Sequence, residues 1–353
     1  MSARIATVAR VIGVNIGLLA IALLLLELIF GAWFSTTALS PVRIIRDARI
    51  VYDASGYNPE GGSFEYRRDH YGLRGTYKSA GTIDILAVGG STTNELYVGE
   101  GQTWTDVLAA TFHANGRAVE VVDAGVDGQS TIGHLHNFDD WFPTIPGLKA
   151  RYVLAYIGIN DVHVQAQAQY DDVAVLSGWG RVQRVVNDRS ALYRFHRAIR
   201  GMLGARQARV LHADVNWAGL SWQEVPVPTQ DIVVDAGQQL NIDAYSKRVE
   251  TLIERIRDFG AQPIVVTQHR GTYRRNGERL WVLEAVGLND FIAQSRFNRR
   301  AMEVCRSQAA ICIDSGAEIE FQPGDFQDYA HTTPQGSKRV AEFLYSRLKD
   351  IVR

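Results

Sequence analysis

The sequence has few cysteines, almost no net charge and no residue spacing typical of a metal site. The 353 residues include two cysteines, Cys305 and Cys312, and neither a Cys-x-x-Cys nor a His-Glu-x-x-His pattern. Without those spacings a structural metal site is not expected, and we predict no metal and no cofactor. The formal net charge of −1 excludes a general electrostatic affinity for nucleic acid. Internal repeats and low-complexity tracts are also lacking.

The chain does contain enough apolar residues for a large core. Hydrophobic residues make up 46% of it and charged residues 21%, which is typical of a globular protein rather than a disordered one.

The longest apolar run lies near the N-terminus, at residues 11–34, with Asn15 and Glu27 as its polar exceptions. As a helix it would be about 36 Å long, enough to cross a hydrocarbon core of about 30 Å. A cleaved signal peptide is the alternative, but its apolar region would be shorter and FSTTALS is a poor cleavage site. We therefore expect residues 1–10 to be a cytoplasmic tail and residues 11–34 a single-pass signal anchor in the inner membrane.

The lengths of the segments before and after the span indicate which side of the membrane the large domain occupies. Charge does not, because arginines flank both ends of the span. A short tail followed by a long domain fits an extracytoplasmic, periplasmic domain. In such an oxidising compartment a disulfide between the cysteines and two buried thiols are both open alternatives. Glu27 either reaches the lipid headgroups or contacts a protein partner in the membrane.

Beyond the anchor, we interpret residues 35–81 as a stalk with a short hairpin and residues 82–353 as one domain. In this domain, strand-like and helix-like patterns alternate, which predicts crossover units around a buried parallel sheet. Strand patterns fall at 83–89, 118–125, 151–158, 263–267 and 311–314, and helix patterns at 103–116, 242–260, 288–305 and from Pro334. Residues 162–240 break the rhythm and predict a helical insertion.

The turn after the first of these strands contains Ser91, in GGSTT. Gly89 and Gly90 allow an abrupt turn from strand to helix, which would expose the serine hydroxyl and its backbone N–H. Ser91 is therefore either a nucleophile or a helix N-cap.

A serine nucleophile needs a base and a group that orients the base. Asp328 and His331 are spaced i, i+3 before the last helix, so their side chains can meet on one face of a turn. A capping aspartate and a surface histidine are the structural alternative. Asp325 is the reserve orienting group, and His269, which follows another strand, is the rival base or a substrate contact.

Two further strand ends offer donors for an oxyanion. Gly128 in VDGQS can supply a backbone N–H, and Asn160 in GIND can supply its side-chain amide. Each has an ordinary alternative, as a turn glycine or an Asx-turn residue.

Together, the blocks GGSTT, VDGQS, GIND and DYAH resemble those of the SGNH hydrolase superfamily, or GDSL-like esterases, over about residues 83–350. The resemblance implies a three-layer α/β/α, flavodoxin-like fold with about five parallel strands. It implies Ser91 as nucleophile, His331 as base and Asp328 as its orienting group, with Ser91, Gly128 and Asn160 forming the oxyanion hole. Gly90 departs from the family pattern, which has aspartate at that position.

Membrane-anchored envelope members with a similar first block imply a serine esterase acting on acylated saccharides or cell-envelope polymers. An O-acyltransferase with the same triad is the first alternative, and a non-catalytic scaffold of an envelope or polysaccharide assembly is the second. We name no protein partner. The insertion is the candidate for substrate selection.

Overall fold

The computed structural model describes residues 2–31, 33–34, 44–53, 62–164, 215–228 and 236–352, with scattered positions between 186 and 203. The chain divides into two compact units. One comprises Met1–Pro41 and Asp172–Gly204, and the other comprises Val42–Asp171 and Ala205–Arg353. Within the predicted insertion, residues 165–185, 204–214 and 229–235 lie outside the described part.

The first unit contains helix α1, Ser2–Phe30. Its stretch Thr7–Phe30, with a mean hydropathy of 2.5, is long and apolar enough to cross a membrane, and it is the one such helix among the described residues. The helix begins before residue 11 and ends at Phe30. The predicted tail is thus largely helical, and the span stops short of residue 34.

Glu27, near the end of α1, has hydrogen-bond partners within its own unit. Its carboxylate accepts from Ser190 Oγ at 2.6 Å and from the backbone N–H groups of Ala191 and Leu192 at 2.9 and 3.0 Å. Trp33 Nε1 donates to it at 2.9 Å. Contacts inside the chain therefore satisfy this carboxylate, an arrangement that the sequence patterns did not suggest.

The second unit contains the strands. In chain order they are β1 (Ala48–Asp53), β2 (Ser63–Arg68), β3 (Ile83–Gly89), β4 (Val121–Asp123), β5 (Ala150–Tyr156), β6 (Trp222–Pro226), β7 (Gln262–Val266), β8 (Tyr273–Asn276), β9 (Arg279–Leu283) and β10 (Ile311–Ile313). Five of them form a parallel sheet in the order β10-β7-β5-β3-β4. The predicted parallel sheet of five strands is confirmed.

Helices cover both faces of this sheet. They are α2 (Ser91–Asn94), α3 (Trp104–Ala114), α4 (Thr131–His136), α5 (Ala236–Asp258), α6 (Gly287–Ser307), α7 (Ser315–Glu318) and α8 (Pro334–Leu348). One apolar cluster packs α5 and α6 against the sheet, with Leu252 and Phe297 among its buried side chains. A second cluster packs α3 and α8 on the other face through Leu108 and Leu344. Burial on both faces explains why the strands are almost uniformly apolar, and the three-layer architecture is confirmed.

Cys305 at the end of α6 and Cys312 in β10 form a disulfide. Of the two alternatives left by the sequence, the structure contains the bonded pair.

Two small antiparallel sheets complete this unit. Strands β1 and β2 pair with each other, and β6, β9 and β8 form a three-stranded sheet in that order. The first lies in the segment interpreted as a stalk, and β6 comes from the predicted insertion.

Candidate active site

The turn at Gly89, Gly90 and Ser91 carries the chain from β3 directly into α2. Gly90 has an ordinary negative φ, so the need for glycine is steric. A Cβ there would lie 2.7 Å from Asn160 Nδ2 and 3.0 Å from the carbonyl oxygen of Gln129. Only glycine lets these groups approach the turn so closely. An aspartate at position 90 would therefore not fit this turn unless Asn160 or Gln129 moved.

Ser91 is joined to His331 and Asp328 by hydrogen bonds. The Ser91 Oγ lies 2.7 Å from His331 Nε2, and His331 Nδ1 lies 2.8 Å from both carboxylate oxygens of Asp328. All three side chains are at least 95% buried. Residues 240 positions apart in the chain are thus joined in a serine–imidazole–carboxylate series, an arrangement that can activate a serine hydroxyl.

Asp328 is fixed by the turn in which it lies. Its Oδ1 accepts from the backbone N–H groups of Ala330 at 2.9 Å and His331 at 2.8 Å. Burial alone would lower the pKa of His331, but the charge of Asp328 and its hydrogen bond raise that pKa above the ordinary histidine value. The turn therefore holds the carboxylate where it stabilises a protonated imidazole.

Asn160 reaches the same turn from the end of β5. Its Nδ2 donates to the Gln129 carbonyl oxygen at 2.7 Å, which fixes the amide and leaves a second N–H on the same nitrogen. Gly128 adopts a φ of +75° in a turn closed by a hydrogen bond from Gln129 N to Val126 O at 3.1 Å. No atom lies within 4 Å of where its Cβ would be, so a ligand has room to approach this backbone.

The two alternative residues from the sequence make other contacts. His269 is packed among the rings of Tyr273, Phe321 and Phe326, and burial lowers its pKa to about 3. Asp325 is paired with Arg339 at 2.6 Å. The structure therefore brings Asp328, rather than Asp325, to His331.

Glu95 is a buried carboxyl group that the sequence patterns did not single out. It ends α2 with a left-handed φ of 48°. Its carboxylate accepts from Thr332 Oγ1 at 2.8 Å, from Ser337 Oγ, and from the backbone N–H of Trp104 at 2.6 Å. Burial raises its pKa to about 7, although these hydrogen bonds act in the opposite direction. Glu95 thus links α2, which begins at Ser91, to Thr332, the residue after His331.

Two buried arginines donate hydrogen bonds to residues at the end of α2 and just after it. Arg68 in β2 donates to the carbonyl oxygen of Gly125 at 2.6 Å, and Arg74 donates to those of Glu95 at 3.1 Å and Val98 at 2.6 Å. Both come from the segment interpreted as a stalk, which therefore contributes to the support of the site. In the sequence these arginines lie among aromatic residues, and that pattern did not indicate that they would support the site.

Sequence comparison provides no assignment, since the chain matches no protein-family model and no curated protein. Its structural neighbours include SGNH/GDSL acylhydrolases and acetylxylan esterases. A catalytic mutant of an acetylxylan esterase from Geobacillus stearothermophilus is 11% identical, with a TM-score of 0.43, over 77% of this chain and 95% of that one.

Two further solved structures are similar over most of their length. A G-D-S-L family protein from Desulfitobacterium hafniense is 12% identical, with a TM-score of 0.40, over 75% of this chain and 99% of that one. The psychrotrophic esterase EstA from Pseudoalteromonas is 10% identical, with a TM-score of 0.40, over 76% of this chain and 97% of that one. At these identities and TM-scores the comparisons assign no function, so any assignment rests on the chain's own site.

Proposed function

We propose that the protein is a membrane-anchored serine esterase that removes acyl groups, acetyl above all, from saccharides or cell-envelope polymers. The observation that carries the proposal is the continuous hydrogen-bonded series from Ser91 Oγ through His331 to Asp328. A neutral His331 with its proton on Nδ1 accepts the serine proton at Nε2.

In the first half-reaction, Ser91 Oγ attacks the ester carbonyl carbon as its proton moves to His331. The resulting oxyanion receives hydrogen bonds from the backbone N–H groups of Ser91 and Gly128 and from the Asn160 amide, each worth about 2.7 to 4 kcal/mol by removal. The C–O bond to the saccharide then breaks, and His331 returns the proton to the departing sugar oxygen. An acyl group is left on Ser91.

In the second half-reaction, water replaces the sugar. His331 takes a proton from the water as the oxygen attacks the acyl carbon, and then returns it to Ser91 Oγ as the acid departs. An acyltransferase would use a second sugar hydroxyl at this step. We favour hydrolysis and retain transfer as an outcome of the test.

We also propose that α1 holds the protein in the inner membrane, with the second unit in the periplasm. The apolar stretch of α1 supports anchoring, and the bond between Cys305 and Cys312 suits an oxidising compartment.

The test compares the full chain with two serine variants on acetylated oligosaccharides, following both free acetate and acetyl transfer to added sugars. Ser91→Ala should abolish acetate release. Ser307→Ala, which removes an exposed hydroxyl on α6, should retain it. Transfer without release would favour the acyltransferase, and equal release by both variants would contradict the proposal.

A further inference from the structure

A row of aromatic side chains leads away from the loop that carries His331. Tyr329, two residues before the histidine, has its ring centroid 6.0 Å from that of Trp217. Trp217 in turn lies 6.3 Å from Trp222, with their planes 24° apart. The indole Nε1 of Trp217 donates to the carbonyl oxygen of Gln327 at 3.2 Å, which ties the row to the residue before Asp328.

Trp217 packs against the edge of the apolar cluster that contains Leu108 and Leu344, but none of the three rings is fully enclosed. Trp217, Trp222 and Tyr329 are each only partly buried. In the three-stranded sheet, the buried side chains of Tyr273, Leu280 and Val282 form their own small cluster.

The strand register sets Trp222 on the opposite face from that cluster. Trp222 pairs with Leu283 in β9, whereas Tyr273 pairs with Val282, one residue away and therefore on the other face. Arg274, adjacent to Tyr273 in β8, shares the face of Trp222. One face of the sheet thus builds the small cluster, and the other carries the indole of Trp222 and the side chain of Arg274.

Arg274 lies over this indole, with its guanidinium carbon 4.0 Å from the ring centroid of Trp222. It is half-buried, and desolvation lowers its pKa, which the charge of Asp325 only partly offsets. Asp325 itself is paired with Arg339. Within the described part of the chain, Arg274 has no ion pair. A partly desolvated guanidinium on an aromatic face, with no ion pair within the described residues, is suited to pair with a carboxylate of a ligand.

A second polar group beside the row also lacks a partner. The side-chain amide of Gln327 is 5% exposed, and neither its nitrogen nor its oxygen makes a hydrogen bond within the described residues. Buried amides are normally satisfied, but both polar atoms of this one are enclosed, so Gln327 is not counted among the groups that a ligand would contact.

We propose that Trp217, Trp222, Tyr329 and Arg274 form a subsite for an acidic sugar, a uronate residue of the acylated saccharide. The C–H face of a pyranose ring packs on the part of the indole surface that Arg274 and the neighbouring rings leave exposed. The sugar carboxylate pairs with Arg274 in the two-pronged geometry that guanidinium favours. This inference rests on the proposed function for its substrate class, and it narrows that class to uronate-containing chains.

Binding tests the subsite without requiring catalysis. The full-length Ser91→Ala protein in detergent is titrated calorimetrically with trisaccharides of galacturonate, mannuronate and glucuronate, and with the carboxyl-reduced form of each. We expect at least one acidic trisaccharide to bind roughly tenfold more tightly than its reduced form, because the ion pair is charge-assisted. The difference should shrink as salt is raised.

Variants assign that preference to the row. Arg274→Gln should bring the acidic and reduced sugars to equal affinity, whereas Arg275→Gln, which removes the same charge one residue along β8, should leave the preference intact. Trp222→Ala should weaken both sugars by a similar factor. Circular dichroism and melting temperature confirm that each variant is folded.

Three results would overturn the subsite: equal binding of every acidic and reduced pair, equal effects of the two arginine substitutions, or no effect of Trp222→Ala. Hydrolysis of 4-nitrophenyl acetate by the unmodified chain is measured separately. Uronate binding without Ser91-dependent hydrolysis would reject the esterase and keep the subsite, and the converse would reject the subsite alone.

Discussion

Gly90→Ala tests how closely Asn160 is held against the Ser91 turn. The added methyl carbon would lie 2.7 Å from Asn160 Nδ2 and 3.0 Å from the Gln129 carbonyl oxygen. Ordinary contacts are about 3.5 Å, so the amide would have to move by about 0.8 Å. That movement breaks its 2.7 Å hydrogen bond to Gln129 and displaces a donor from the oxyanion.

The expected cost equals the loss of one oxyanion donor. We predict that kcat falls by about 10²- to 10³-fold and that KM changes little, because the hydrogen bond forms in the transition state. Crowding also costs about 1 to 3 kcal/mol of folding stability, so melting temperature is measured alongside. Gly219→Ala is the matched control, since its nearest neighbouring atom would be 3.4 Å away.

A double-mutant cycle shows whether the effect passes through the amide. Once Asn160→Ala has removed the donor, adding Gly90→Ala should cost less than threefold more in kcat. Fully additive losses, or a Gly90→Ala protein within threefold of the original kcat, would refute the steric account.

Three other predictions concern pH and stability. The acidic limb of kcat/KM should lie above the ordinary histidine pKa, since a protonated His331 cannot act as base. The folded chain retains a Glu95 proton up to about pH 7 that the unfolded chain releases near its lower ordinary pKa. Melting temperature should therefore fall as pH rises through that window, and less so in Glu95→Gln. Replacing Cys305 and Cys312 by serine should lower the melting temperature by about 5 to 10 °C and spare activity.

Each of these has a contrary outcome. An acidic limb below the ordinary histidine value would mean that Asp328 does not stabilise the imidazolium. Identical melting profiles for Glu95→Gln and the unmodified chain would place that carboxyl group in water. An unchanged melting temperature without the two sulfurs would mean that the link between α6 and β10 does not restrict the unfolded chain.

Local patterns predicted the central sheet and singled out Ser91, Asp328 and His331 as candidates, while their combined roles were implied by the family resemblance. Each parallel strand is buried on both faces and reads as an apolar run, and polar residues at their carboxyl ends must meet at one edge. The i, i+3 spacing of Asp328 and His331 reflects a single turn of backbone. These features depend on residues that are close together in the sequence, so the sequence alone can reveal them.

The supporting residues were not predictable in this way. Glu95 bonds to Thr332, 237 positions away, and Arg68 reaches Gly125, 57 positions away, so no local period identifies either pair. The hairpin of β8 and β9 was missed for a different reason. Its two-residue turn begins at Gly277, which has a φ of 58°, and this turn glycine was passed over because the strand and helix patterns on either side dominated the interpretation.

The assignment of Ser91 as the nucleophile is tested most directly by covalent labelling. The folded full-length protein is treated with a fluorophosphonate probe, and the modified peptide is identified by mass spectrometry. We predict a single adduct on Ser91 that is lost in Ser91→Ala, retained in Ser307→Ala and strongly slowed in His331→Ala. A label on another residue, or none on the folded unmodified chain, would contradict the proposed esterase mechanism.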